Sequence, residues 1–166
     1  MNFFKILLPL IILLFSCNST ILSQEKIPEL NLSSRGLKDL SNVSLSSKLN
    51  ILKIDLSHNQ LSSFPIEIFD LKGLKHLILS GNSIEVIPSR IIELDKLEYI
   101  ALDNNLITTL PNMKSLSNLK YVYIYGYESL TNEHVKKMEC NLPKGVVLKA
   151  FLEFTNYGKD CDSKSN

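Results

Sequence analysis

Three cysteines, Cys17, Cys140 and Cys161, and three histidines, His58, His76 and His134, are the side chains of this 166-residue chain best suited to covalent or metal chemistry. Thiols form disulfides, ligate metals or carry covalent attachments. Imidazoles ligate metals or move protons. A further group draws notice by spacing alone. Tyr121, Tyr123, Tyr125 and Tyr127 occupy every second position of Tyr-Val-Tyr-Ile-Tyr-Gly-Tyr, and they are four of the six tyrosines in the chain. On a strand they would share one face. Motifs with a built-in mechanism do not occur: there is no Gly-rich phosphate loop, His-Glu-x-x-His, Cys-x-x-Cys or Gly-x-Ser-x-Gly. No catalytic residue and no cofactor is expected, and the chain reads as a non-enzyme.

Cys17 ends the stretch MNFFKILLPLIILLFSC. Lys5 and the amino terminus give a short positive region. The apolar run from Ile6 to Phe15 is broken only by Pro9. It is shorter than the roughly 20 apolar residues that span a bilayer, and it has the length of a signal-peptide core. Leu13-Leu14-Phe15-Ser16-Cys17 resembles a bacterial lipobox, with Leu14 at −3 and Ser16 at −1. Phe15 at −2 is bulkier than the strict pattern and similar to relaxed spirochaetal forms. The resemblance implies cleavage before Cys17, diacylglycerol on its sulfur and acylation of the new amine. Residues 1–16 are then a signal peptide and 17–26 a linker after the lipidated Cys17. Plain secretion without lipid is the alternative. It wants small residues at −3 and −1, and no pair near residue 17 fits well.

If Cys17 is lipidated, Cys140 and Cys161 remain as one even pair, for which a disulfide is expected in an exported protein. Loss of Lys5 with the leader lowers Lys plus Arg from 18 to 17, equal to the 17 Asp plus Glu. A neutral chain argues against a nucleic-acid partner and against electrostatic attachment to anionic lipid.

The elements that position these residues come from a repeat. Ile51, Ile54, Leu56, Asn59 and Leu61 recur as Leu74, Leu77, Leu79, Asn82 and Ile84, then as Leu97, Ile100, Leu102, Asn105 and Ile107. A further unit starts at Leu119 and a weaker one at Ile27. The second halves also repeat: Phe64-Pro65, Ile87-Pro88 and Leu110-Pro111, followed by Ile68, Ile91 and Met113. This pattern resembles the leucine-rich-repeat family, in the subtype that carries L-P-x-x-I after the asparagine, and it looks similar to short spirochaetal lipoproteins of that family. Physics gives the same outline. One unit cannot bury its apolar row alone, whereas stacked units form a parallel sheet over a continuous core. The expected fold is an α/β solenoid with a short parallel sheet on its concave face. Repeats run over 27–130. A helix from Asn132, N-capped by Thr131, and an alternating strand near Val146–Phe154 form a cap over 131–157, before a polar tail at 158–166.

Register assigns roles. Asn59, Asn82 and Asn105 turn inward and form a structural ladder. Position 3 of successive units holds Glu29, Lys53, His76, Tyr99 and Tyr121; position 5 holds Asn31, Asp55, Ile78, Ala101 and Tyr123. Both rows face outward, and Tyr125 continues them. Tyr127 falls in the inward asparagine slot. His58 and His76 then lie five positions apart along their strands, roughly 16 Å, so they cannot share a metal. The concave face is polar around Lys53, Asp55 and His76, passes through Ile78, and becomes aromatic at Tyr99, Tyr121, Tyr123 and Tyr125. Tyrosine is a frequent interface anchor, although aromatic residues also suit strands for packing alone. The expected function is binding of a protein partner by a monomeric, lipid-anchored envelope protein. A secreted module acting on a host, an accessory enzyme subunit and a structural envelope component are the alternatives.

Overall fold

Each repeat places only three or four residues in a strand, and the computed structural model aligns six such strands in one parallel sheet, in chain order. It describes residues 27–45, 50–126 and 130–150. The strands are β1 (Glu29–Asn31), β2 (Lys53–Asp55), β3 (His76–Ile78), β4 (Tyr99–Ala101), β5 (Tyr121–Ile124) and β6 (Val147–Ala150). Register is unbroken: Glu29, Lys53, His76, Tyr99, Tyr121 and Val147 are successive partners, so one side-chain row crosses the whole sheet. Strands this short are stable here because each central strand is paired on both sides and each unit buries its leucines against the next. Ile54, Leu77, Ile100 and Val122 point inward with no exposed surface. Each such side chain contributes about 1.5–3 kcal/mol on burial.

The asparagines tie the units together. The Asn82 amide donates to Leu56 O at 3.1 Å in the preceding unit and to Leu79 O at 2.9 Å in its own, while its Oδ1 accepts from Leu61 N–H at 3.1 Å. Asn59 and Asn105 repeat the pattern. Each asparagine thus satisfies backbone groups that the chain's turn out of the strand leaves without a ladder partner.

One residue earlier, the chain takes the left-handed conformation in every unit: Ser34, His58, Gly81, Asn104 and Gly126 all have φ between 52° and 83°. Bulk alternates along this corner. A Cβ at Gly81 would lie 2.7 Å from His58 Nδ1, and one at Gly126 would overlap Asn104 Oδ1. Glycine takes this torsion without strain, and here it also leaves room for the overhanging side chain.

Return segments start at the prolines. Pro65 and Pro88 lead into 3-10 turns at Ile66–Asp70 and Ser89–Glu93, which bury Ile68, Phe69 and Ile91. The segment after Pro111 has no such turn. Met113 follows Leu110 by three residues where Ile68 follows Phe64 by four, which accounts for that unit's shorter period. Its backbone is met instead by the cap. Met113 N–H donates to Asn141 O, and the Asn141 amide donates to Leu110 O, both at 2.7 Å. Asn141 follows α1 (Asn132–Cys140), a helix N-capped by Thr131, which accepts from His134 N–H. Val135 and Met138 of α1 are buried. β6 then pairs with β5, with Val146, Leu148 and Ala150 against the core.

Candidate functional site

The outward rows of β3, β4 and β5, with Tyr125 just past β5, carry five aromatic rings in stacked and tilted contact. Local sequence puts them there: Leu77, Ile100, Val122 and Ile124 take the inward positions, so the alternate residues must face out. His76 stacks on Tyr99 with ring centres 5.7 Å apart and planes at 23°. Tyr99 reaches diagonally to Tyr123 at 5.1 Å. Tyr123 in turn meets Tyr121 at 6.5 Å and Tyr125 at 6.0 Å. Offset and tilted pairs at such distances are favourable, because the negative face of one ring meets the positive edge of another. Ala101 stands opposite Tyr123 in register and is only 4% exposed. A small residue at that point gives the rings a floor on which to lean.

Charges border the rings. Lys149 Nζ lies 5.2 Å above the Tyr123 ring. Glu98, one residue before Tyr99, pairs with Lys75 at 3.1 Å and Lys120 at 2.6 Å. Hydrogen bonds from Lys120 and Lys75 hold the Glu98 carboxyl down to about 2. Asp103 accepts from Tyr125 N–H at 2.9 Å and from the Ser80 hydroxyl at 3.2 Å. Burial lowers the His76 pKa, opposed by Glu98 and reinforced by Lys53, Lys75 and Lys120. Burial also raises the Tyr99 phenol. Both shifts favour the neutral forms of His76 and Tyr99.

The N-terminal end of the same face is built differently. Lys53 pairs with Glu29 at 3.0 Å. Asp55 accepts from the Ser57 hydroxyl and N–H at 2.6 and 2.9 Å. Ile78, half-buried, separates Asp55 from Ala101 along the position 5 row.

Lys53, Asp55, His76, Ile78, Tyr99, Tyr121, Tyr123 and Tyr125 thus share one face. Asn59, Asn82 and Asn105 lie beneath it, buried, and His58 stands over Gly81 at its corner. Cys17, Cys161 and Tyr127 lie outside the described residues, and so do the leader, the linker and the polar tail. Sequence reasoning missed Val147 and Lys149, which extend the two rows through β6, and Asp103 at the rim. Inward alternation of Val146, Leu148 and Ala150 was a signal that could have placed Val147 and Lys149 outward.

Comparison with known proteins agrees with this architecture. Residues 72–126 match the leucine-rich-repeat family. A leucine-rich-repeat protein of Leptospira interrogans superposes with a TM-score of 0.55 and 30% identity over 60% of this chain; the match spans 25% of that protein. Internalin C2 of Listeria monocytogenes superposes with a TM-score of 0.51 at 18% identity, over 75% of this chain and 61% of that one, and indicates the fold alone. The curated proteins contain no match. The described chain is a leucine-rich-repeat solenoid, an architecture that suggests a protein-interaction module.

Proposed function

We propose that this chain is an exported bacterial envelope protein, anchored by lipid on Cys17, whose concave face binds a protein partner. The observation that carries the binding reading is the cluster of five touching rings on outward positions. Tyr121 is 42% exposed and none of the rings fills a core position. Exposed clustered tyrosines offer large contact area at low cost in side-chain freedom. Export and anchoring rest on the lipobox-like Leu-Leu-Phe-Ser-Cys stretch. Pairing of Cys140 with Cys161 rests on their being the even pair that remains once Cys17 is lipidated. The protein acts as a monomer on this reading.

Two measurements test it. Mass spectrometry of the mature chain should find Cys17 at the amino terminus carrying lipid, and Cys17→Ala should lose detergent partitioning; any other amino terminus rejects the anchor. Replacing Tyr121 and Tyr123 together by Ala should weaken partner binding by more than about 2 kcal/mol, roughly 30-fold. A folded double variant that captures the partner as well as the native chain would reject the concave site.

A further inference from the structure

Tyr99 meets Tyr123 across a diagonal. The partner of Tyr99 in register on β5 is Tyr121, and the partner of Tyr123 on β4 is Ala101. Neighbouring strands stand about 4.8 Å apart and two residues rise about 6.6 Å, so the Cα atoms of the diagonal pair are about 8 Å apart. Their ring centres are only 5.1 Å apart. The rings therefore lean together over Ala101, which is buried although it faces outward. Position 5 of the other units carries Asn31, Asp55, Ile78 and Tyr123, all of them larger. Any of these at residue 101 would fill the gap that the two rings use.

Two residues further along each unit stand Ser33, Ser57, Ser80, Asp103 and Tyr125. In the first two units the serine is held from within its own unit. Asn31 accepts from Ser33 N–H at 3.0 Å, and Asp55 accepts from Ser57 N–H at 2.9 Å. Farther along, Ile78 has no acceptor to offer, and the Ser80 hydroxyl donates across to Asp103 at 3.2 Å. Tyr125 N–H likewise reaches back to the other Asp103 oxygen at 2.9 Å. Tyr125 O accepts from Asn104 N–H at 2.6 Å. The acceptor that the first two units keep at position 5 has thus moved to residue 103. Position 5 is released to Ile78, Ala101 and Tyr123. With its backbone held on both sides, Tyr125 sets its ring 6.0 Å from that of Tyr123.

We propose that Ala101 and Asp103 are positioning residues of the ring cluster, Ala101 by leaving the space in which Tyr99 meets Tyr123 and Asp103 by fixing the backbone of Tyr125. Both belong to the unit that starts at Leu97, whereas Tyr121, Tyr123 and Tyr125 belong to the next. The inference rests on the concave-face reading for its part in binding, and it adds that the neighbouring unit shapes the site.

The test exchanges each residue for one that another unit carries at the same place. Ring contacts and amide exchange are read by nuclear magnetic resonance on the chain, and thermal melts confirm folding. Ala101→Ile should abolish the Tyr99–Tyr123 contact. It also bares Tyr99, whose phenol is held above its ordinary 10.0 first by burial and then by Tyr123, Asp103 and Tyr125, so that phenol should move down toward 10.0. Ala101→Thr, smaller and a good strand former, repeats the measurement if the isoleucine chain does not fold. Asp103→Ser should speed exchange of the Tyr125 amide about tenfold, the loss of one hydrogen bond to a charged group. Asp103→Asn keeps an oxygen acceptor and should restore most of that protection. A native Tyr99–Tyr123 contact above a larger residue 101 overturns the proposal. So does Tyr125 exchange that is unchanged in Asp103→Ser, or as fast in Asp103→Asn as in Asp103→Ser. None of these readings needs a partner. Undiminished partner capture by the Tyr121→Ala, Tyr123→Ala chain therefore removes the concave reading alone, and an undisturbed ring cluster removes this inference alone.

Discussion

At the N-terminal end of the concave face the outward side chains bind one another: Glu29 to Lys53, Asn31 to Ser33, Asp55 to Ser57. At the C-terminal end, four strands away in the same register, rings touch through their faces and edges. Backbone, spacing and side-chain direction are common to both ends. The difference lies in what each row has left to offer a ligand. At the polar end a ligand competes with the Glu29–Lys53 ion pair and the Asp55–Ser57 bonds, whereas at the aromatic end the ion pairs of Glu98 with Lys75 and Lys120 lie beside the rings and the ring surface itself is covered by no ion pair. A solenoid can therefore localise binding by chemistry alone, with no change in scaffold.

Predictions can break or sharpen this contrast. Asn82→Ala acts on the scaffold under both ends. It should lower stability by about 1–3 kcal/mol, since Leu61 N–H, Leu56 O and Leu79 O all lose a buried partner. Urea unfolding measures this, and an unchanged midpoint would mean that the ladder does not carry load. Binding per folded molecule should stay as it was. Next comes the asymmetry itself. Lys53→Ala with Asp55→Ala should cost less than about 1 kcal/mol of partner affinity, against more than about 2 for the tyrosine pair. A reversed order, read by calorimetry on both double variants, places the site at the polar end.

The remaining two predictions are smaller and concern protons. His76 titrates below its ordinary 6.5 because it is partly buried, stacked on the Tyr99 ring. Tyr99→Ala should raise it, as followed by the imidazole proton resonances, and no movement would show that the ring does not shield it. A depressed histidine favours the folded state above its unfolded pKa, and that contribution is lost as pH falls through the folded value. Glu98 acts in the same sense. Its carboxyl, at about 2, contributes stability above the usual carboxylate range that is lost as pH falls from about 4.5 toward 2. Lys120 is 61% exposed, so screening keeps the Glu98 effect below about 1 kcal/mol. The stability gap between the native chain and Glu98→Gln should close over that interval, and a gap independent of pH would contradict the ion pairs.

The sheet was legible because a period of 23 fixes strand register without any other information. Once Leu77 and Leu79 face inward, His76 and Ile78 must face outward. Features that depend on the space between units were not legible. Gly81 and Gly126, and more weakly Asn104 and His58, could have suggested the left-handed torsion, but Ser34 gave no sign of it. Asn141 lies outside the repeat, so its bonds to Leu110 and Met113 had no pattern to reveal them. Lys149 reaches the face from the cap, where the period has ended and the alternation of Val146, Leu148 and Ala150 was the one signal left to place it. Stacking of His76 on Tyr99 depends on rotamers, and composition carries no trace of them.

The alternation at the left-handed corner bears on how such a protein can grow. His58 and Asn104 each overhang a glycine in the following unit, so units two and four are not interchangeable with units three and five. Units one and two place Ser34 and His58 at successive corners, so neighbouring side chains are accommodated there when the first is small. What the overhang fixes is order: a unit inserted between His58 and Gly81, or between Asn104 and Gly126, must bring a glycine to that corner or turn the overhanging side chain aside.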